Sequence, residues 1–139
     1  MKILLVEDSF FDVRINIEFL SCYGEVDTAK DGKEATDKFV KQIEIGQPYQ
    51  LICMDVMLPV ASGFDATEFI RVYESMNKIP EDKKVKIIVL TSLNMDFQVK
   101  EAYLKGADIF FTKPINPFKI ERFLKEKGLI ADKKKKVIK

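Results

Sequence analysis

Five side chains carry the chemistry that this chain can be expected to do: Glu7, Asp8, Asp55, Thr91 and Lys113. They come from four places far apart in sequence, yet each stands where a short apolar run ends. Lys2–Val6 stops at Glu7-Asp8, Leu51-Ile52-Cys53-Met54 at Asp55, residues 85–90 at Thr91-Ser92, and residues 108–112 at Lys113-Pro114. Runs this short read as strands of a parallel sheet buried on both faces. In an open α/β sheet, ligands bind at the carboxyl ends of the strands, so the five groups converge on one edge. Carboxylates crowded there repel; an unscreened pair about 4 Å apart costs roughly 4 kcal/mol at an effective dielectric of about 20. A divalent cation relieves that repulsion. The chain has no histidine and no thiol in position, so the ligands must be oxygens, and Mg²⁺ or Mn²⁺ fits best. Lys113 adds a compact positive charge suited to a phosphoryl oxygen, and Thr91 adds a hydroxyl donor. A metal, a lysine and a hydroxyl around one carboxylate suit phosphoryl transfer, with Asp55 as the nucleophile.

Holding these groups on one edge takes five strands joined by helical crossovers. After Lys2–Val6, residues 11–19 alternate like a strand, but Phe10, Val13, Ile17 and Leu20 also form a helical stripe. Helix is the better reading, because a parallel sheet needs a crossover here and Tyr23-Gly24 stops the pattern. Glu25–Ala29 is the second strand, and Asp31-Gly32 turns into a helix with Ala35, Phe39 and Ile43 inward, ended by Gly46 and Pro48. The Asp55 strand follows, then a helix over 63–77 with Ala66, Ile70 and Tyr73 inward, and a polar surface loop over 78–84. Residues 85–90 form the fourth strand, 96–105 a helix ended by Gly106, and 108–112 the fifth strand. Asn116 caps the last helix, with Pro117 at its first position and Phe118, Phe123 and Leu124 as apolar contacts up to Gly128. Five alternations predict an α/β fold with a doubly wound five-stranded parallel sheet, order 2-1-3-4-5, with helices on both faces.

A chain of 139 residues with 47% hydrophobic content suits one domain, expected over 1–131, with the lysine-rich 132–139 as a disordered tail. The 23 basic residues nearly balance the 22 acidic ones, so no overall field favours nucleic acid or an anionic membrane; either would need a local patch. No apolar run is long enough to span a bilayer, and a cytoplasmic location is expected. Cys22 and Cys53 read as small buried hydrophobes rather than a disulfide or ligand pair.

With Glu7-Asp8, Asp55 followed by Leu58-Pro59 and Gly63, Thr91-Ser92, Gly106-Ala107 and Lys113-Pro114, the sequence resembles the response-regulator receiver domain of two-component signalling over residues 2 to about 128. The resemblance implies a flavodoxin-like receiver fold and a single-domain, chemotaxis-regulator-like protein. It implies that Asp55 accepts the phosphoryl group, and that Asp8, Asp55 and the backbone carbonyl of Met57 bind Mg²⁺, with Glu7 acting through water. Lys113 and Thr91 would hold the phosphoryl group, and the Lys113-Pro114 bond would be cis. Thr91 and Phe110 would form the switch, although a tyrosine stands at that position in many chemotaxis-type members. Met57 and Leu93 hold positions that tune water access, and both are apolar, so slow self-dephosphorylation is expected.

Other readings fit less well. A dinucleotide or flavin carrier needs a phosphate cradle where Glu7-Asp8-Ser9-Phe10 stands. A haloacid-dehalogenase-like phosphatase needs an aspartate where Met57 stands. Without histidine the chain cannot hold its own phosphohistidine, so a histidine kinase or histidine phosphotransfer protein is implied as donor. Because nothing folded is expected after Ala131, the expectation is a standalone switch, not a turnover enzyme, that signals by protein contact. The fourth helix, fifth strand and fifth helix are the expected face, with Lys100, Tyr103, Lys105, Lys119 and Arg122; neither nucleic acid nor membrane is an expected partner. A phosphorelay intermediate, a constitutive interaction module and a phosphorylation-dependent homodimer are the alternatives.

Overall fold

The computed structural model describes residues 1–56, 62–92 and 96–131. Five strands, β1 (Lys2–Val6), β2 (Glu25–Ala29), β3 (Leu51–Asp55), β4 (Lys86–Thr91) and β5 (Ile109–Thr112), form one sheet in the order β2-β1-β3-β4-β5, and every pairing is parallel. The helices between and after them are α1 (Phe10–Leu20), α2 (Gly32–Glu44), α3 (Gly63–Met76), α4 (Asp96–Leu104) and α5 (Pro117–Glu126). The expected fold class and strand order are those found.

The sheet divides its side chains by alternation. Leu4, Val6, Ile52, Met54, Ile87 and Val89 face Phe39 of α2, Ala66 and Ile70 of α3 and Ala102 of α4. Their neighbours Ile3, Leu5, Leu51, Cys53, Ile88 and Leu90 face Leu20 of α1 and Ile120, Phe123 and Leu124 of α5. A strand covered on both faces must be apolar throughout, which is why these segments read as continuous runs. Side chains of Ser9, Asp31, Ser62 and Asn116 cap α1, α2, α3 and α5 by accepting from backbone N–H groups of the first turn.

Several expectations need correction. Phe10 and Phe118, expected on the inward stripes, are both exposed. Each sits at the start of a helix, beyond the carboxyl edge of the sheet, where no strand lies beneath it. Cys22 is also exposed, in the turn after α1, whereas Cys53 is buried as expected. The loop over 78–84 lies at the surface as expected and holds a short 3-10 turn, Glu81–Lys83. The tail at 132–139 lies outside the described residues.

One buried polar cluster ties α3 to the sheet. Arg71 donates to Gly106 O and Val85 O, both at 2.8 Å, to Glu74 at 2.7 Å and to Asp108 at 2.9 Å. Glu74 in turn accepts from Val85 N at 2.9 Å, and Asp108 from Ile87 N at 2.8 Å. Gly106 adopts φ +109°, and a Cβ there would meet Arg71 Cγ at 2.5 Å, so both backbone angle and space require glycine. Among the described residues, no helix is long and apolar enough to cross a membrane.

Candidate functional site

The parallel register levels the strand ends: Asp55 pairs with Leu90, and Thr91 with Thr112. Glu7 continues β1 by donating from its N–H to Ala29 O at 2.9 Å, and Lys113 continues β5 by donating to Thr91 O at 2.7 Å. The Lys113-Pro114 peptide bond is cis. Beneath Asp55, Gly63 opens α3 so closely that an added Cβ would lie 2.1 Å from Asp55 O. A side chain at 63 would therefore displace the strand end that carries Asp55.

Lys113 sits at the centre of the site. Its Nζ donates to Glu7 Oε1, lies 3.1 Å from Asp55 Oδ2, and lies 3.4 Å from Asp12 Oδ2. Glu7 Oε2 accepts from the backbone N–H of Asp8 at 3.1 Å and of Ser9 at 3.4 Å. Glu7, Asp55 and Thr91 are buried, while Asp8 is exposed at the rim. Burial, and then the neighbouring Asp55 carboxylate, push the Glu7 carboxyl up to about 7 against the pull of Lys113. Burial pulls the Lys113 ammonium down, but hydrogen bonds to Glu7 and Asp55 outweigh it and hold the group above its ordinary value.

Glu7, Asp8 and Asp55 each offer a carboxylate oxygen, all within 4.8 Å of one another. This all-oxygen donor set fits a hard divalent cation, which would bind carboxylates and keep several waters. The fourth expected ligand, the carbonyl of Met57, lies outside the described residues, as does Leu93.

The structure thus brings Glu7, Asp8, Asp55 and Lys113 together. Thr91 lies at the adjacent strand end, and half-buried Phe110 of β5 pairs with Val89 of β4 and packs on the α2–α3–α4 side of the core. Asp12 was missed from sequence. Its position one helical turn beyond Asp8 was the available signal, but on α1 it read as one of the polar residues alternating with the apolar ones. Next to Lys113, a cavity of about 440 Å³ opens between α1 and the segment leading into α5, lined by Asp12, Ile15, Asn16, Ser92, Lys113 and Ile115, among others. On the expected output face, Tyr103, Phe110, Phe111, Lys119 and Arg122 line a concavity of about 490 Å³. Lys105 is the exception there, since it turns to Glu68 at 2.9 Å and Glu101 at 3.8 Å.

An open parallel sheet with acids, a hydroxyl and a lysine at its carboxyl edge defines a class, and the comparisons agree with it. The model of the response regulator receiver domain matches residues 3–125, and the chain belongs to that family. It is 31% identical over 128 residues, 91% of its length, to the osmosensing histidine protein kinase SLN1 of Saccharomyces cerevisiae, and spans 10% of that protein. It is 38% identical over 120 residues, 82% of its length, to hybrid signal transduction histidine kinase B of Dictyostelium discoideum, and spans 6% of it. Among solved structures, it resembles the receiver domain of the response regulator Ssk1, co-crystallised with the histidine phosphotransfer protein Ypd1 of S. cerevisiae. There the TM-score is 0.78 at 31% identity, covering 95% of this chain and 93% of that one. The chemotaxis protein CheY4 of Vibrio cholerae follows with a TM-score of 0.73 at 29% identity, covering 90% of this chain and 96% of that one.

Proposed function

We propose that this receiver accepts a phosphoryl group on Asp55 and signals through the change in protein binding that follows. The observation that carries this reading is the ammonium of Lys113 at 3.1 Å from the buried Asp55 carboxylate, with Glu7 and Asp8 alongside. Asp55 Oδ attacks phosphorus, the bond from phosphorus to the donor's imidazole nitrogen breaks, and that nitrogen keeps the electron pair. Lys113 steadies the carboxylate before attack and pairs with a phosphoryl oxygen afterwards, and the Thr91 hydroxyl donates to a second. Asp8, Asp55 and the Met57 carbonyl would hold Mg²⁺, or Mn²⁺, with Glu7 acting through water; when bound, the ion neutralises charge between the carboxylate and the entering anion.

The donor is a phosphohistidine on a histidine kinase or a phosphotransfer protein. The cavity beside Lys113 and the exposed Phe11 and Ile15 on α1 favour a docking helix there, close to Asp55. Similarity to a receiver crystallised with a phosphotransfer protein supports the second kind of donor. Output is assigned to α4, β5 and α5, where Phe110 lines the concavity and can move with Thr91 as phosphorylation shifts the population. In this reading the protein is a cytoplasmic switch rather than a turnover enzyme.

The test is intact mass after incubation with a small acyl phosphate, with and without Mg²⁺. The expected result is one Mg²⁺-dependent phosphoryl adduct that Asp55→Asn removes. A folded protein that gains no adduct would instead be a constitutive binding module.

A further inference from the structure

The edge of the sheet opposite Asp55 carries a second concavity. It encloses about 480 Å³ between the segment before β3, the start of β4 and the end of α5, and its lining includes Lys83, Lys84, Lys86 and Lys127 with Gln50 and Asp82. Lys84 is neutralised by Glu81 at 2.9 Å. Lys83, Lys86 and Lys127 make no ion pair among the described residues, and Lys127 instead lies 5.8 Å above the Phe123 ring. Asp82 is the one acid among the described lining residues.

Charge concentrates on this side: residues 78–86 and 125–131 hold six lysines and three acids, a net +3 in a chain of net +1, which leaves −2 for the rest. That near-neutral total hid the patch.

Lysine side chains gathered around one concavity concentrate positive charge there, and an anion within their reach relieves the repulsion. Lysine is a compact point charge suited to phosphate oxygens, whereas arginine is the usual choice for planar carboxylates. A ligand that matches several lysines around one hollow must have its own charges clustered. We propose that this pocket binds a small, multiply phosphorylated anion, free or as a phosphorylated lipid headgroup, at a site separate from Asp55.

Titration calorimetry with inorganic tripolyphosphate on the full chain, at about 0.15 M salt so that diffuse attraction is screened, tests this. Saturable one-to-one binding is expected, with monophosphate weaker by about tenfold or more. Lys83→Gln/Lys86→Gln/Lys127→Gln should weaken binding by about tenfold or more, and Lys33→Gln/Lys41→Gln on α2 by less than about twofold. Lys83→Arg/Lys86→Arg/Lys127→Arg, which keeps the charge, should retain binding and separates loss of the site from loss of the fold. Vesicles containing phosphatidylinositol bisphosphate that tripolyphosphate displaces would identify a headgroup as the source, and vesicles that stay unbound would identify a free anion. The proposal is overturned by absence of saturable binding, by equal losses in the two glutamine variants, or by vesicle or single-stranded DNA binding that tripolyphosphate leaves intact.

Discussion

Asp12 Oδ2 lies 3.4 Å from Lys113 Nζ, so the lysine that contacts Asp55 at 3.1 Å also contacts a carboxylate on the first turn of α1. That carboxylate competes for the ammonium and, in the proposed reaction, would face the incoming phosphoryl anion. Its side chain is 40% exposed, so solvent screens it and the effect is that of a surface pair, roughly 0.2–1 kcal/mol. Asp12→Asn should therefore speed phosphorylation of Asp55 by a small acyl phosphate about 1.4- to fivefold. Asp12→Glu should leave the rate near native, and added salt should shrink the difference. Mass time courses measure it. A slower Asn variant would make Asp12 a group that positions Lys113 rather than one that restrains it.

Glu7 gives the metal-free protein a pH-dependent stability. Its folded pKa is about 7 against an ordinary 4.5, so the folded state holds the proton more tightly than the unfolded one. Below the ordinary value both states are protonated, and Glu7 contributes no slope. As pH rises from there through 7, stability falls by an amount on the order of 3 kcal/mol. Urea denaturation in chelator should show a less stable protein at pH 8 than at pH 5. Glu7→Gln should flatten that slope, and Mg²⁺ at pH 8 should recover part of the loss. A flat native profile would mean that Lys113 keeps Glu7 ionised across the range.

The strands were legible because burial on both faces forces continuous apolar runs, and the grouping of the candidate site was legible because those runs end abruptly at Glu7, Asp55, Thr91 and Lys113. Side-chain direction at helix ends was not. The stripe that correctly buries Leu20 also includes Phe10, and periodicity does not show where the sheet beneath a helix stops. Lys105 was placed with Arg122 because both are basic on neighbouring elements, but its direction is set by Glu68, far away in sequence. The Arg71 cluster gave no signal, since two of its acceptors are the backbone carbonyls of Val85 and Gly106, which any residue would supply.

The two thiols should react at very different rates. Burial pushes the Cys53 thiol up to about 12, and its side chain is fully enclosed in β3, whereas Cys22 is exposed. At neutral pH Cys53 has almost no thiolate and no path for a reagent. Titration of the folded protein with a disulfide reagent should release one equivalent rapidly and the second only at the rate of unfolding or in denaturant. Cys22→Ser should remove the rapid phase. Two rapid equivalents would mean that β3 opens far more often than a central strand should.

Arg71 should be among the costliest polar residues to replace. Its guanidinium compensates Glu74, whose side chain is 1% exposed, and Asp108, and it also satisfies two carbonyls. Arg71→Met keeps most of the apolar stem but strands the Glu74 charge, at about 3–5 kcal/mol. Glu74→Gln retains an acceptor for Val85 N, so in that background the same Arg71→Met change should cost clearly less. Chemical denaturation of the native protein, both single variants and the double variant closes the cycle. A strongly favourable coupling would locate the cost in the uncompensated carboxylate. Additive losses would locate it in the two carbonyl contacts, and α3 would then be held to β4 through its backbone rather than through a buried ion pair.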